Sequence, residues 1–247
     1  YIRNPILAKL SLLEANKVFH DEIAVIKASD GVTFINADDS VIYHKTLING
    51  VKINSAIIPV YINTIKTKID ISHTKNVLLV GSFDWLPKKL NAEWLSNEVF
   101  PMVLKNSPDS RLIIVGRGAD KLEICSNSVD VYSDVCDVDA YYDKANIFAI
   151  PEKQSGGLKI KSLEAASKGM AIVSTKPGIS GSMLEDGREC IVCDMATSEF
   201  AEALIHLIEN PEKVKAMGQR AMKKVNYCFS EKNVRDNWSE FWNDLYK

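Results

Sequence analysis

The chain has 247 residues, 46% of them apolar, enough for one large domain or two small ones, which excludes intrinsic disorder. Thirty basic residues against 32 acidic ones give a net charge of −2, so the electrostatic footprint of a general nucleic-acid binder is missing. Only 12 Gly and 8 Pro exclude a collagen-like chain, and no apolar run approaches the ~18 residues of a membrane-spanning helix.

Residues 5–26 place Ile6, Leu7, Leu10, Leu13, Val18 and Ile23 at helical spacing. Gly31-Val-Thr-Phe-Ile-Asn36 reads as a β-branched strand, and Asp38-Asp39-Ser40 as the N-cap cluster of the helix after it. Ala56-Ile-Ile-Pro-Val-Tyr-Ile62 closes an apolar strand. Residues 63–75 are polar and aperiodic, which predicts a linker and a domain boundary near residue 70. Beyond it the pattern alternates regularly. Strands are expected at 76–81, 111–116, 129–132, 147–151, 170–175 and 189–193, the first two as apolar runs ending in Gly, and helices at 91–105, 120–126, 137–144, 158–168 and 198–210. Runs that are apolar throughout, separated by helices, predict parallel strands buried on both faces. The expected fold is therefore α/β, a doubly wound Rossmann-like sheet over 71–247, with residues 1–70 as a partial second α/β domain and linker. The last stretch, 233–246, is amphipathic and reads as packing material.

Five cysteines, an odd number, include a lone C-x-x-C at Cys190 and Cys193 with no second pair to complete a zinc site. They read as small strand hydrophobes in a reducing compartment, so the protein is expected to be cytoplasmic. Tyr1 opens the chain without a signal-peptide pattern, and the chain is expected to be trimmed at the front. His20, His44, His73 and His206 match no catalytic motif.

In open α/β sheets ligands bind beyond the carboxyl ends of the strands. The loop Gly81-Ser-Phe-Asp-Trp-Leu-Pro87 has one Gly rather than G-x-G-x-x-G, which removes the NAD reading; no P-loop motif is present either. The informative stretch is Pro151-Glu-Lys-Gln-Ser-Gly-Gly-Leu-Lys-Ile-Lys-Ser-Leu-Glu-Ala-Ala166. Gly156 and Gly157 precede a helix, whose unpaired N–H groups and positive dipole end suit a phosphate. Lys159 and Lys161 oppose that dipole and call for an anion. Glu164 shares the face of Lys161 and suits a neutral part of the ligand, such as vicinal ribose hydroxyls. The same pattern also fits an ordinary glycine loop with a solvated Lys/Glu pair.

Ser155-Gly-Gly-Leu-Lys-Ile-Lys-Ser-Leu-Glu-Ala165, followed by Gly169-Met-Ala-Ile-Val-Ser-Thr175 and Gly178, resembles the donor site of family 4 glycosyltransferases of the GT-B fold. Val80-Gly-Ser-Phe-Asp-Trp-Leu-Pro87 with Trp94 and Pro101, Arg111-Leu-Ile-Ile-Val-Gly-Arg-Gly118, and Tyr141-Tyr142 match in order and spacing, so the resemblance covers about 76–230. It implies a metal-independent site for a nucleotide sugar, with no other cofactor. Glu164 would bind the ribose hydroxyls. Lys159, with Ser155, Gly156, Gly157 and Lys161, would hold the diphosphate, and Lys159 would have the catalytic role of stabilising the leaving phosphate. Gly81 would admit the donor to the first loop, and the backbone near Val135 would meet the base edge. Many members have a first glutamate where this chain has Gly156; Lys88 stands where Asn is common, and Ser133 where Gly is common.

The implied function is that of a retaining hexosyltransferase acting on a glycan or lipid-linked acceptor. Its acceptor half would lie largely outside this chain, and any peripheral association with the cytoplasmic membrane would come through that missing part. A non-catalytic nucleotide-sugar-binding or scaffold subunit and a nucleotide-sugar epimerase are the rival readings. The former would lack donor hydrolysis, and the latter would convert donor alone to an epimer.

Overall fold

The computed structural model describes residues 4–46, 53–63, 71–154 and 157–247. The chain forms two compact units, Tyr1–Pro59 with Val234–Lys247, and Val60–Asn233. The expected boundary residue, 70, lies outside the described residues.

In the first unit, helix α1 (Pro5–Lys27) starts with Pro5, whose missing N–H costs nothing there, and the Asn4 side chain accepts the Ile6 N–H at 2.9 Å. Strands β1 (Gly31–Phe34) and β2 (Asn54–Ile57) pair in parallel, and helix α2 (Ala37–Thr46) lies between them in the chain. The cap of α2 is Asn36 rather than the Asp38-Asp39-Ser40 cluster. Asn36 Oδ1 accepts the Asp39 N–H at 2.8 Å, and its Nδ2 donates to Asp39 Oδ2 at 2.6 Å. That reciprocal pair places Asp38 and Asp39 in the first turn, where the helix dipole favours them. Strand β2 ends before Pro59, which has no N–H to donate to a ladder, so the strand expected at 56–62 is displaced towards the N-terminus. Most of helix α9 (Glu231–Leu245) groups with this unit, where buried Phe241 lies over Gly31; a Cβ on that glycine would come 2.8 Å from the ring.

A two-stranded sheet is marginal by itself. Amides of β1 and β2 should therefore exchange with deuterium well before those of the long sheet described next. Equal protection in both sheets would show that the small sheet is completed by further structure.

The second unit holds six parallel strands: β3 (Asn76–Val80), β4 (Arg111–Gly116), β5 (Val129–Ser133), β6 (Ile147–Ile150), β7 (Ala171–Ser174) and β8 (Cys190–Val192). Their order is β5-β4-β3-β6-β7-β8. Val77, Leu79, Leu112 and Ile114 join one buried cluster with Phe100 and Phe200; Leu78, Val80, Ile113 and Val115 join the other with Leu163 and Val225. Successive residues point to opposite faces, so burial on both faces explains the unbroken apolar runs at 77–80 and 112–115.

Helices α3 (Leu86–Trp94) and α4 (Phe100–Asn106) run on through a π turn at Leu95–Val99. The single helix expected at 91–105 thus starts earlier, with Pro87 in its first turn. Pro101 has no N–H, and its ring would crowd the carbonyl of Asn97 in regular helix, so the wider turn accommodates it. The helix expected at 120–126 is only a 3₁₀ turn, Ala119–Lys121, entered from Gly118 at φ +71°. Helices α5 (Asp139–Tyr142), α6 (Ile160–Ser167) and α7 (Thr197–Ile208) lie within their expected spans, apart from one residue at the start of α7.

Helix α8 (Pro211–Cys228) lies beyond the last helix expected from the sequence before residue 233, although Pro211 in its first turn and buried Val214, Met217, Ala221 and Val225 carry a helical signal. At Gly218 a Cβ would lie 1.9 Å from the carbonyl oxygen of Gly169, just beyond α6.

Candidate active site

Strands β3, β4 and β5 progress one way from the middle of the sheet, and β6, β7 and β8 the other. The reversal between neighbours β3 and β6 is the point at which such sheets bind ligands. A cleft of about 250 Å³ opens there, lined by Gly81, Lys88, Glu152, Leu158, Lys159 and Lys161 among others.

Gly81 is the residue after β3, and its N–H donates to the Val115 carbonyl at 3.1 Å. The next strand must come very close: a Cβ on Gly116, at φ +144°, would stand 1.8 Å from the Gly81 carbonyl oxygen. Across the cleft the chain leaves β6 through Pro151 and enters α6 after Gly157 and Lys159. Gly157 takes φ +64°, and nothing lies within 4 Å of where its Cβ would be, so a ligand can approach the backbone. Lys159 is the N-cap of α6 and provides no side-chain cap, while the Ser162 hydroxyl donates to its carbonyl at 2.7 Å. The eight residues of α6 include no acidic residue in the first turn, leaving its positive end unneutralised from within that turn.

Glu164 sits one turn into α6. Its Oε2 accepts from Lys161 Nζ at 2.6 Å and from the Tyr142 hydroxyl at 3.1 Å. Tyr142 is buried and stacked on Phe148, with centroids 5.7 Å apart, and the Lys168 ammonium lies 4.9 Å from the Tyr142 ring centroid. Burial first, and then the Glu164 carboxylate, push the Tyr142 phenol well above its ordinary pKa. Tyr142 is therefore a neutral donor that orients Glu164.

The fold thus brings Gly81, Lys159 and Lys161 to one cleft, with Glu164 paired to Lys161. Gly157 lies in the loop entering α6. Val135 is not among the cleft-lining residues; it is half-buried against the core on the α6 side and follows Asp134, which takes φ +50°. Ser155 and Gly156 lie outside the described residues. Sequence reasoning missed Tyr142 as a site residue, and it missed Glu152, which forms an ion pair with Lys88 in the cleft. The Tyr141-Tyr142 pair is visible in the sequence; nothing there joins Lys88 to Glu152.

At the outer ends of β3 and β4, Asp84 accepts from Lys121 at 2.6 Å and pairs with Arg117 at 3.3 Å. The Lys121 hydrogen bond, followed by the two positive charges, holds its carboxyl below the ordinary range. Cys190 and Cys193 are buried, and burial pushes each thiol up to about 12, so both stay protonated at neutral pH. Among the described residues no group of three or more His, Cys, Asp or Glu could hold a metal ion, and no helix is long and apolar enough to cross a membrane.

A doubly wound parallel sheet with a cationic cleft at its switch point is the architecture of the GT-B glycosyltransferases, and solved structures agree. Similar folds are TarM (TM-score 0.76, 14% identity, 92% of this chain and 46% of that one) and Anabaena Alr3699/HepE in complex with UDP and glucose (TM-score 0.72, 13% identity, 92% and 66%). Sucrose-phosphate synthase from Thermosynechococcus elongatus is also similar (TM-score 0.72, 14% identity, 94% and 62%). The chain belongs to the group 1 glycosyl transferases, whose family model matches residues 74–210. It is 28% identical over 174 residues to an uncharacterized 44.6 kDa protein in the cps region of Klebsiella pneumoniae, a match covering 66% of this chain. That match covers 44% of the Klebsiella protein, so this chain spans less than half of its curated relative.

Proposed function

We propose that this chain carries the donor half of a retaining glycosyltransferase that moves a sugar from a nucleoside diphosphate to a hydroxyl of a glycan or lipid-linked acceptor. The observation that carries the reading is the start of α6 at the cleft, where Lys159, Lys161 and an unneutralised helix end converge, with Glu164 one turn further on. Lys159 and the backbone at Gly157 bind the diphosphate, and Glu164, oriented by Tyr142, accepts from the ribose hydroxyls. Gly81 admits the donor to the loop after β3, and the backbone at Val135 meets the base. As the sugar–phosphate bond breaks, negative charge grows on the leaving phosphate; Lys159 and the helix end stabilise that charge. HepE, which shares the fold, is complexed with UDP and glucose, which favours a uridine nucleotide here. Retention is carried by the resemblance. Work in the cytoplasm, with any membrane association residing in the acceptor-side domain, completes the proposal.

Calorimetric titration with UDP and GDP in the presence of EDTA tests this reading. One of the two should bind without divalent metal, because side-chain cations and the helix end supply the positive charge. Binding that appears only on adding Mg²⁺ or Mn²⁺ would contradict it.

A further inference from the structure

The cleft holds a second charged pair, apart from the residues assigned to the nucleotide. Glu152 lies just beyond β6 with its side chain 7% exposed, and Lys88, in the first turn of α3, reaches it with 28% exposure. The pair therefore bridges the β3 and β6 sides of the switch point. Glu152 is anchored through its backbone: its N–H donates to the Ile150 carbonyl at 3.0 Å, and its carbonyl accepts the Thr175 hydroxyl at 2.6 Å. Removing a carboxylate and an ammonium from water carries a large desolvation cost, and apolar side chains of similar size commonly fill such a place with no loss of stability. Packing thus gives no reason for these charges, and their place on the wall of the cleft gives a functional one.

We infer that Glu152, held by Lys88, reads the transferred sugar: it accepts hydrogen bonds from sugar hydroxyls and rejects sugars that carry a carboxylate. The inference rests on the donor site proposed above. A diphosphate at Lys159 leaves its sugar to occupy the remainder of the same cleft, which Glu152 borders. An ionised carboxylate has about four acceptor positions, so one ammonium partner leaves room for hydroxyl donors. An anionic sugar would bring a like charge to a poorly hydrated carboxylate, where repulsion is weakly screened.

The test uses the full-length protein and the nucleotide that binds it, comparing UDP-glucose with UDP-glucuronate, or GDP-mannose with GDP-mannuronate. The parent should prefer the neutral sugar. Glu152→Gln should reduce that preference about tenfold while leaving affinity for the bare nucleotide unchanged. Lys88→Gln should increase it, because the carboxylate loses its counterion. Opposite signs from the two variants are not expected of a merely structural pair, whose loss would lower the melting temperature in both and leave the preference unmoved. An unmoved preference with normal nucleotide binding overturns this inference alone. Tighter binding of the acidic sugar, lost in Lys88→Gln, overturns it in favour of lysine recognition. Failure of both UDP and GDP to bind overturns the donor site and this inference with it.

Discussion

Glu164→Gln should weaken binding of nucleoside diphosphate and of bare nucleoside alike, by about tenfold or more. A hydrogen bond to a charged acceptor contributes roughly 1.5–3 kcal/mol, and 1.4 kcal/mol is a factor of ten. The proposed ribose contact is common to both ligands, so both should lose it. Lys159→Ala acts on the other end of the ligand: affinity for UDP or GDP should fall, while affinity for uridine or guanosine should hardly change. The contrast between the two variants is more informative than either loss. Glu164 is one-third exposed and its ion pair with Lys161 spans a single helical turn, so the pair contributes at most about 1 kcal/mol to stability. The folded state should therefore survive the substitution, and isothermal titration of each variant with each ligand is interpretable. Variants that bind both ligands like the parent but melt lower would make Lys159 and Glu164 a surface arrangement on a structural helix.

The second large effect is expected at Gly218, where α8 meets the turn that follows α6. A methyl group there would stand 1.9 Å from a backbone oxygen of Gly169, and backbone cannot swing aside as a long side chain can. Gly218→Ala should destabilise the fold by roughly 1–3 kcal/mol or more, as overpacking does. Its displacement of α8 should be felt at α6 and weaken nucleotide binding as well. Gly187 provides a control. It takes φ +73°, yet nothing lies within 4 Å of its Cβ position, so Gly187→Ala should cost only backbone strain of about 1–2 kcal/mol and spare binding. Urea denaturation gives both free energies from the midpoints at unchanged slope. A normal midpoint for Gly218→Ala would mean that α8 does not approach Gly169 this closely.

Much of this arrangement is legible from the residues, and its limits have physical reasons. Strands β3, β4, β6 and β7 stand out because burial on both faces removes polar residues from Leu78 and Leu79 or Ile113 and Ile114 alike. The start of α6 stands out because Gly157 and the lysines after it conflict with ordinary helix preferences, and such local conflicts mark functional sites. Helix α3 is harder to read, since its run through the π turn depends on how the chain accommodates Pro101. The Asn36 cap competes with three equally good capping residues just after it, and only the reciprocal bond to Asp39 decides between them. Lys88 and Glu152 are 64 positions apart and meet only because β6 returns beside β3. Tyr142 meets Glu164 across 22 positions for a related reason: each leads from a different part of the sheet to the same side of it. Pairings of this kind belong to topology and have no local signal.

Binding of a nucleotide sugar at the start of α6 is tested most directly by a crystal structure of the full-length protein grown with UDP, or with GDP if that is the nucleotide bound. The diphosphate should lie within hydrogen-bonding distance of the Lys159 ammonium and the backbone at Gly157, with the ribose hydroxyls on Glu164 and the base beside Val135. A nucleotide bound with its phosphates away from α6 and its ribose away from Glu164 would contradict the account.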